Sequence, residues 1–542
     1  MRALGVPRNL GGPIFSTDRG VVGEATERNN PGPAARGVDP AGSEQQAHGW
    51  YLGAKATELR ETGDGKSERP IVAWKRGNRP EGPCGAKGSR ITGLLEGKTM
   101  GRPSLSDVST KQQRIAEIAR QVPVALTSLS HHIDLNWLYE AYRRTRKDGA
   151  PGVDGQTAKE YERELEANLQ SLLDRAKSGE RYKTPPVRRV YIPKGDGSTR
   201  PLGIPTCEDK VLQRAVVMAM EPVYEQDFLD CSYGFRPGRS AHQALETGWK
   251  RLMDMGGGWV MEVDIRKFFD TLDHRHLRDI LDRRVRDGVI RRLIGKWLKA
   301  GVMESGSHIR PEAGTPQGGV ISPLLANIYL HEVLDVWFER EVKPRMRGAS
   351  FLIRYADDLI MGFKLESDAH RVLDVLPKRF GKYGLTLHPD KTRLVDFRKP
   401  QEPEDTGKGR PGSFDLLGFT FFWAKSRKGN WVVKQRTAKS RLRVALSRVK
   451  EWCKANRHRP IGEQQQALAQ KLRGHYGYFG ITGNSWQIAK FRYEVVMLWR
   501  KWLSRRSQKA RMNWETFNRL LMRYPLPAPI AIHSIYRNAV KP

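Results

Sequence analysis

Hydrophobic residues recur at different intervals along the chain, and each interval predicts a type of secondary structure. Leu135, Leu138 and Tyr142 follow one another at helical spacing, which is typical of residues 100–180. Between residues 186 and 424, short runs rich in β-branched and aromatic residues alternate with helical segments. Helical spacing returns from residue 424 onward. The patterns predict a helical start, an α+β or α/β centre and a helical end.

Two apolar stripes mark the last part of the chain. The first contains Leu442, Leu446, Val449 and Trp452. The second contains Ile488, Phe491, Val495, Leu498 and Trp502. Residues at intervals of three and four lie on one face of a helix. The stripes, with residues 472–479 between them, therefore predict three packed helices whose opposite faces carry Lys and Arg.

The first 99 residues follow no helical or strand period. The first 100 residues contain 18 Gly and 8 Pro and few aromatic residues. Such a segment buries too little apolar surface to offset the entropy of ordering it, so we expect residues 1–99 to be a disordered, low-complexity extension. The pattern changes at Met100, which gives the hypothesis that Met100 is the functional start.

Composition narrows the class of protein. The chain has 542 residues, 38% of them hydrophobic, and a net charge of +34. That charge indicates a polyanionic partner such as a nucleic acid. The four cysteines are widely spaced, which argues against a zinc ribbon and against a disulfide-framed secreted protein. No long apolar run predicts a membrane span and no secretory signal is recognisable. We therefore expect no membrane partner and a location in a reducing compartment such as the cytoplasm.

A pair of adjacent acids interrupts an alternating apolar pattern. Phe351, Ile353 and Tyr355 alternate on one side, and apolar residues resume after Asp357 and Asp358. This pattern predicts two strands with both carboxylates at the tip of the hairpin. Adjacent acids repel each other and partial burial adds a desolvation cost, both of which a divalent cation would relieve. The alternative is a solvated Asp-Asp turn.

A third acid lies at the end of another predicted strand. Residues 259–264 form an apolar, β-rich run that ends in Asp264. With Asp357 and Asp358 on a separate hairpin, this carboxylate can complete a two-metal site for phosphoryl transfer. The ligands are hard oxygens without Cys or His in either motif, so the expected cofactor is Mg²⁺, as two ions.

Several sequence blocks then resemble one family in its own order. The sequence YADD at residues 355–358 looks like the signature of reverse transcriptases, and Asp264 followed by Phe269 resembles their first catalytic strand. The further blocks lie at residues 191–205, 232–239, 314–329, 384–392 and 414–421. Together they resemble group II intron-encoded reverse transcriptase–maturases of the bacterial type, from about residue 130 onward. The resemblance implies an α+β right-hand polymerase with fingers and palm, followed by an α-helical thumb or maturase domain.

The resemblance also implies roles for single residues. Asp264, Asp357 and Asp358 would hold the two magnesium ions and orient the primer 3′-hydroxyl against the α-phosphate of the incoming nucleotide. The expected nucleotide-binding residues are Lys194, Arg200, Phe269, Gln317 and Lys391. The alternatives to nucleotide binding are a solvated hairpin turn at residues 194–200, core packing for Phe269 and an ordinary surface position for Lys391.

The basic end of the chain corresponds to the maturase, or X, domain of that family. Residues 424–542 contain 27 basic and only 4 acidic side chains, which favours phosphate binding over a merely solvated face. The RNA-binding candidates are Arg441, Arg448, Arg473, His475, Tyr476, Tyr478, Arg492 and Lys501. For residues 473–478, a packed helix junction is the alternative. The expected domains are fingers and palm at 100–424, thumb or maturase at 425–508, and a basic, DNA-binding extension at 509–542.

The implied function is RNA-directed DNA synthesis combined with binding of the group II intron RNA to assist splicing and intron mobility. The expected partners are that intron RNA, an RNA template with a DNA primer, target DNA and deoxynucleoside triphosphates. A splicing-only maturase is one alternative, and a retron or diversity-generating reverse transcriptase is another. Many relatives end in a zinc-dependent nuclease with paired cysteines. This sequence has none, so we expect the primer to come from elsewhere.

Overall fold

A computed structural model describes residues 105–178, 182–193, 199–304, 307–309, 314, 318–400, 412–507 and 512–534. The predictions of disorder for residues 1–99 and of a start at Met100 lie outside the described residues. The same is true of two nucleotide-binding candidates, Lys194 and Gln317. Within the described part, helices and strands occur in the mixed order that the sequence patterns predicted.

The helices fall into three groups along the chain. The first group contains α1 (Leu105–Gln121), α2 (Leu135–Arg144), α3 (Ala158–Glu162) and α4 (Leu165–Lys177). The second group contains α5 (Cys207–Tyr224), α6 (Ala241–Met255), α7 (Phe268–Thr271), α8 (His274–Leu281), α9 (Gly288–Leu298), α10 (Ser322–Leu330) and α11 (Glu366–Gly381). The third group contains α12 (Lys439–Ala455), α13 (Ile461–Phe479), α14 (Ser485–Leu503) and α15 (Trp514–Arg523).

Eleven strands are present in the described part of the chain. They are β1 (Val187–Pro193), β2 (Thr199–Ile204), β3 (Trp259–Asp264), β4 (Val302–Glu304), β5 (Ser307–Ile309), β6 (Ser350–Tyr355), β7 (Asp358–Phe363), β8 (Arg393–Asp396), β9 (Phe414–Leu416), β10 (Phe419–Lys425) and β11 (Trp431–Thr437). They form three sheets, with strand orders β2-β1-β4-β5, β6-β7-β3-β8 and β11-β10-β9.

The predicted helical start is confirmed by α1 to α4. Asp134 begins α2, because its side chain accepts a hydrogen bond from the backbone N–H of Trp137. Trp137, Leu138 and Tyr142 are buried on the inner face of this helix. The helical spacing seen in the sequence therefore corresponds to a face that packs into a large hydrophobic cluster formed mainly by the first two groups of helices.

The central sheet, β6-β7-β3-β8, lies between two hydrophobic clusters. Met261, Val263 and Leu359 face the cluster formed mainly by the first two groups of helices. Val260 and Ile360 face a second cluster, to which the β9–β11 sheet contributes Phe414, Phe419 and Phe421. Because neighbouring residues of a strand point to opposite faces, every strand in the middle of this sheet is apolar on both sides. The sheet is therefore a rigid support for the residues at its ends.

Three consecutive glycines fix the start of β3. Gly256, Gly257 and Gly258 have φ angles of 68°, 74° and 148°. A Cβ atom on Gly257 would lie 2.3 Å from the carbonyl oxygen of Phe397, and one on Gly258 would lie 2.2 Å from that of Phe363. The segment is therefore a tightly packed turn that needs glycine at these positions.

One prediction of secondary structure is wrong. Residues from 424 onward were expected to be helical, but β11 pairs with β10 in antiparallel register over its whole length. Val433, Gln435 and Thr437 alternate inward, so the strand uses a period of two. The hairpin of β10 and β11 runs across residues 424 and 425, where the sequence placed a domain boundary. The domain boundaries themselves stay a prediction.

The C-terminal helical cluster, formed by α12 to α15, contains both predicted apolar stripes. Val449, Ile488 and Val495 are buried within it, and the other members of the two stripes are buried or pack against it. Phe517 of α15 is fully buried in the same cluster, so a fourth helix belongs to this unit. Among the described residues, no helix is long and apolar enough to cross a membrane.

A buried histidine makes this cluster sensitive to acid. His475 is 9% exposed and its ring stacks on Phe491 with 3.8 Å between ring centroids. Burial lowers the pKa of His475 from 6.5 to about 4, because the charged form loses its hydration. The unfolded chain therefore binds a proton that the folded chain resists, and stability is lost as the pH falls from about 6.5 toward 4.

We predict that His475→Phe removes this loss. Between pH 7 and pH 5 the wild type should lose about 2 kcal/mol of stability more than the variant, measured by unfolding at each pH. His370→Phe, at an exposed position on α11, controls for removal of an imidazole. Parallel pH profiles of wild type and His475→Phe would contradict the prediction.

Candidate active site

The register of the central sheet brings two of the three acids together. Asp264 is the last residue of β3, and it lies directly opposite Asp358, the first residue of β7. Opposite residues on antiparallel strands have Cβ atoms about 5 Å apart and side chains on the same face. The two carboxylates therefore share one face at one end of the sheet.

The third acid lies in the turn between β6 and β7. We call residues 355–358 the acidic turn: Tyr355 pairs with Asp358, and Ala356 and Asp357 connect the two strands. Ala356 has a φ of 58°, in the left-handed region that residues with a Cβ rarely adopt. The sequence prediction of a hairpin with both carboxylates at its tip is confirmed.

The acids of the turn lie in a concave part of the surface. Asp357 and Asp358 are exposed by surface area, yet protein atoms surround them on most sides. This burial raises the pKa of Asp357, and the charge of Asp264 adds to the effect. Burial, followed by the charges of Asp357 and Asp264, raises the pKa of Asp358 to about 6. The geometry therefore concentrates negative charge at a cost to the folded state.

Lys391 supplies one nearby positive charge. Its Nζ lies 3.2 Å from Oδ2 of Asp264, and both side chains are partly open to solvent. The backbone N–H of His388 donates to the carbonyl oxygen of Asp264, which ties the segment carrying Lys391 to the end of β3. The sequence left open whether Lys391 is a site residue or an ordinary surface lysine. The structure brings it to the carboxylates.

Two further residues act on Asp358: the sequence analysis missed Leu417 and gave Arg441 only as an RNA-binding candidate. The backbone N–H of Leu417 donates to Asp358, and the charge of Arg441 also opposes the rise in the pKa of Asp358. Leu417 lies in the turn between β9 and β10 and has a φ of 51°. The hydroxyl of Tyr478 donates to the carbonyl oxygen of the same Leu417, at 2.8 Å. This turn therefore joins the acids to the C-terminal helical cluster. A backbone donor of this kind leaves no signal in the sequence.

Two further nucleotide-binding candidates, Arg200 and Phe269, lie in the part of the chain that the structure describes. Arg200 is exposed at the start of β2, and its charge lowers the pKa of Asp357, against the effect of burial. Phe269, five residues after Asp264, is partly buried and packs edge-on against Phe268. This packing agrees with the core role that the sequence left as an alternative.

The RNA-binding candidates divide into exposed and buried residues. Arg441, Arg448, Arg473 and Lys501 are exposed on the C-terminal helical cluster. Arg492 is partly buried and donates to the carbonyl oxygen of Pro527.

The aromatic candidates need correction. His475 and Tyr476 are 9% and 3% exposed and face the core of the cluster, so they are not available for stacking on RNA bases. For these two residues the structure has the packed helix junction that the sequence gave as the alternative. Tyr478 is partly buried, and its hydroxyl is bonded to Leu417.

The three aspartates fit a divalent cation by their chemistry. Their donors are hard carboxylate oxygens, and burial followed by mutual repulsion raises the pKa of Asp357 and Asp358, which a cation would offset. In the described part of the chain, no three His, Cys, Asp or Glu side chains are already converged as a ready metal site. Lys391 already forms an ion pair with one carboxylate oxygen of Asp264. Binding of a metal would therefore require small side-chain movements.

Comparison with known proteins gives one domain and several relatives. Residues 192–421 match the family described as reverse transcriptase (RNA-dependent DNA polymerase). The chain is 40% identical over 297 residues to protein YkfC of Escherichia coli K12, a match that covers 48% of this chain and 76% of YkfC.

The chain is also 44% identical over 189 residues to the group II intron-encoded protein LtrA of Lactococcus lactis subsp. cremoris. That match covers 33% of this chain and 31% of LtrA, so it spans about a third of each protein. Among solved structures, a telomerase from Candida albicans has 12% identity and a TM-score of 0.35, over 68% of this chain and 65% of the telomerase. This likeness is too low to carry an argument.

We predict that Asp358→Asn stabilises the protein when divalent cations are removed. The substitution removes one of three mutually repelling charges, so the melting temperature at pH 8 in EDTA should rise by a few degrees. Magnesium chloride should then stabilise the wild type more than the variant. Asp270→Asn, at an exposed acid outside the three, is the control. A variant that melts no higher than the wild type in EDTA would show that the repulsion is not significant.

Proposed function

The chain belongs to the group II intron-encoded reverse transcriptases, and from this membership we propose that Asp264, Asp357 and Asp358 are its polymerase active site. The observation that carries the proposal is the register of the central sheet, in which Asp264 lies opposite Asp358 next to Asp357. The enzyme is an RNA-directed DNA polymerase with a right-hand polymerase fold. In this fold, the central sheet is the palm.

The proposed reaction joins the primer 3′-oxygen to the α-phosphorus of a deoxynucleoside triphosphate and breaks the bond to the β-phosphate. The primer hydroxyl loses its proton and pyrophosphate leaves. Two Mg²⁺ ions, held by Asp264, Asp357 and Asp358, would supply charge stabilisation for the attacking and leaving oxygens. The rigid sheet holds the carboxylates in place before the substrate binds, which lowers the reorganisation that the reaction requires.

Basic and aromatic side chains around the acids are proposed to bind the nucleotide. Arg200 of β2 and Lys194, which follows β1 in the sequence, would grip the triphosphate, since Arg can bind two phosphate oxygens and Lys supplies a point charge. Phe269 would close the space beside the sugar 2′ position. Gln317 would lie in the nucleotide pocket, and Lys391 would act near the leaving pyrophosphate. The pull of Arg200 on the pKa of Asp357 supports this arrangement.

The C-terminal helical cluster is proposed to be the thumb and maturase domain. Its exposed cations, Arg441, Arg448, Arg473 and Lys501, would contact phosphates of the intron RNA and of the template–primer duplex. Fingers and palm would occupy residues 100–424, the thumb 425–508 and a DNA-binding extension 509–542. We place the protein in the bacterial cytoplasm or nucleoid, where it would assist splicing of its intron RNA and copy that RNA at a DNA target.

We predict that Asp357→Asn lowers DNA synthesis by roughly 1000-fold or more, because several kcal/mol of transition-state stabilisation are lost. Primer extension on an RNA template with magnesium measures this, and Asp279→Asn, an exposed acid on α8, is the control. RNA binding and assisted splicing should stay nearly unchanged. Equal loss of splicing would mean that the two activities cannot be separated. Full synthesis by Asp357→Asn would refute the active-site assignment.

A second prediction concerns the cations of the helical cluster. Arg448→Ala combined with Arg473→Ala should weaken binding of the intron RNA and lower the slope of log Kd against log salt by roughly 1.4, since each phosphate contact contributes about 0.7 in single-stranded regions. Filter binding over a salt series measures the slope. Lys378→Ala, on the exposed face of α11, should leave it unchanged. An unchanged slope in the double variant would place the RNA elsewhere.

A further inference from the structure

One arginine lies fully buried directly before the acidic turn. Arg354 of β6 has no exposed surface, and its guanidinium has five N–H groups. Nε and one Nη2 proton donate to Asp335, at 2.7 and 2.6 Å, and the other Nη2 proton donates to the hydroxyl of Ser232 at 2.8 Å. The two Nη1 protons donate to Asn327 Oδ1 at 2.9 Å and to the carbonyl oxygen of Ala356 at 3.1 Å. Every donor therefore has a partner.

The partners of Arg354 come from three parts of the chain, because Asn327 and Asp335 lie on one continuous helical segment. Ser232 precedes α6, Asn327 belongs to α10, and Ala356 lies in the acidic turn. Asp335 is fully buried at the end of a π-helical turn, residues His331–Asp335. Single π-helical turns inside helices are frequent at functional sites. The guanidinium is therefore the point at which these segments are fixed relative to the acids.

Stability alone is a weak reason for such an arrangement. Desolvating a charged pair costs several kcal/mol per ion, and buried ion pairs can often be replaced by apolar residues without loss of stability. The pair of Arg354 and Asp335 differs from an ordinary buried pair in one respect. The guanidinium also binds the backbone of the residue that precedes the acids Asp357 and Asp358.

The backbone at Ala356 adopts a strained conformation that the surrounding residues must stabilise. Ala356 has a φ of 58°, which costs an L-residue roughly 1–2 kcal/mol. Gly234 packs against the turn so closely that a Cβ on it would lie 2.4 Å from the N atom of Ala356. The Nδ2 of Asn327 in turn donates to the carbonyl oxygen of Gly234, at 2.6 Å. The strained residue is thus held by Arg354 at its carbonyl and by Gly234 at its nitrogen.

We propose that Arg354 is a positioning residue for DNA synthesis: by holding the carbonyl of Ala356, it fixes the direction in which Asp357 and Asp358 present their carboxylates. The inference rests on the proposed function, in which these two acids bind the metal ions. Asp335 and Asn327 orient the guanidinium for this task. The guanidinium itself contacts neither substrate nor metal, so its effect passes through the acidic turn.

Arg354→Lys tests the inference, because it keeps the positive charge and removes the planar fork that reaches Asp335 and Ala356 together. In primer extension on an RNA template, kcat should fall by about 10–100-fold, the effect expected of small misplacements of catalytic groups. The KM for deoxynucleotides and the Kd for RNA should stay within about twofold. The magnesium concentration for half-maximal rate should rise several-fold, which a general loss of folded protein would not cause.

Arg284→Lys is the matched control. Arg284 is also buried, and its guanidinium donates to Asp227 and to the carbonyl oxygens of Ala119 and Val122. Its substitution should lower the melting temperature without changing kcat per folded molecule or the magnesium midpoint. If Arg354→Lys is not recovered as folded protein, Asp335→Asn replaces it as the test. Asparagine keeps the shape of the Asp335 side chain but orients the Arg354 guanidinium less strongly. The same pattern with a smaller loss of kcat is then expected.

The outcomes separate the inference from the proposed function. Folded Arg354→Lys, or Asp335→Asn in its place, with unchanged kcat and magnesium midpoint would overturn the inference, provided that Asp357→Asn is inactive in the same assay. Activity in Asp357→Asn would instead refute the proposed active site. A loss of kcat in Arg284→Lys as large as that in Arg354→Lys would also overturn the inference, because it would show a general effect of buried arginines.

Discussion

Three negatively charged side chains held at one end of an apolar sheet are the constraint on which the rest of the structure depends. Asp264 and Asp358 lie opposite each other and Asp357 is next to them, so their charges repel. Burial adds to this repulsion and raises the pKa of both acids in the turn. An arrangement of this kind persists only if the surrounding structure is rigid. The two hydrophobic clusters on either side of the sheet supply that rigidity.

Polar contacts from distant segments then fix the individual acids. Lys391 contacts Asp264, the backbone N–H of Leu417 donates to Asp358, and Arg354 holds the carbonyl before Asp357. Leu417 is also bonded to Tyr478 of the C-terminal helical cluster. Leu417 therefore connects Asp358 to the part of the protein proposed to bind RNA.

The sequence predicted the local features of this site well. Alternation of Phe351, Ile353 and Tyr355 indicated the strand before the acidic turn, and the apolar run ending in Asp264 indicated the other. The pairing of Asp264 with Asp358 could not be read in the same way, because strand register is set by contacts over about a hundred residues of chain. The resemblance to a known family supplied that link.

The wrong or missed predictions have physical reasons. Strand β11, which mixes apolar and basic residues, was wrongly predicted to be helical. Its β structure depends on pairing with β10, a tertiary contact that local sequence patterns do not show. His475 and Tyr476 combine properties that suit RNA binding with the burial of a helix junction, and only packing decides between them. Arg354 gave no signal as a site residue, because its role depends on contacts with Ser232, Asn327 and Asp335 that only the tertiary fold creates.

The most direct test of the account is to locate the metal in a crystal of the protein with an RNA template, a DNA primer and a non-reacting deoxynucleotide, grown with Mn²⁺ in place of Mg²⁺. Anomalous diffraction would reveal the manganese positions. The account predicts two Mn²⁺ ions bound by the carboxylates of Asp264, Asp357 and Asp358, beside the α-phosphate of the nucleotide. Manganese bound elsewhere, or a nucleotide whose α-phosphate is remote from these three residues, would contradict it.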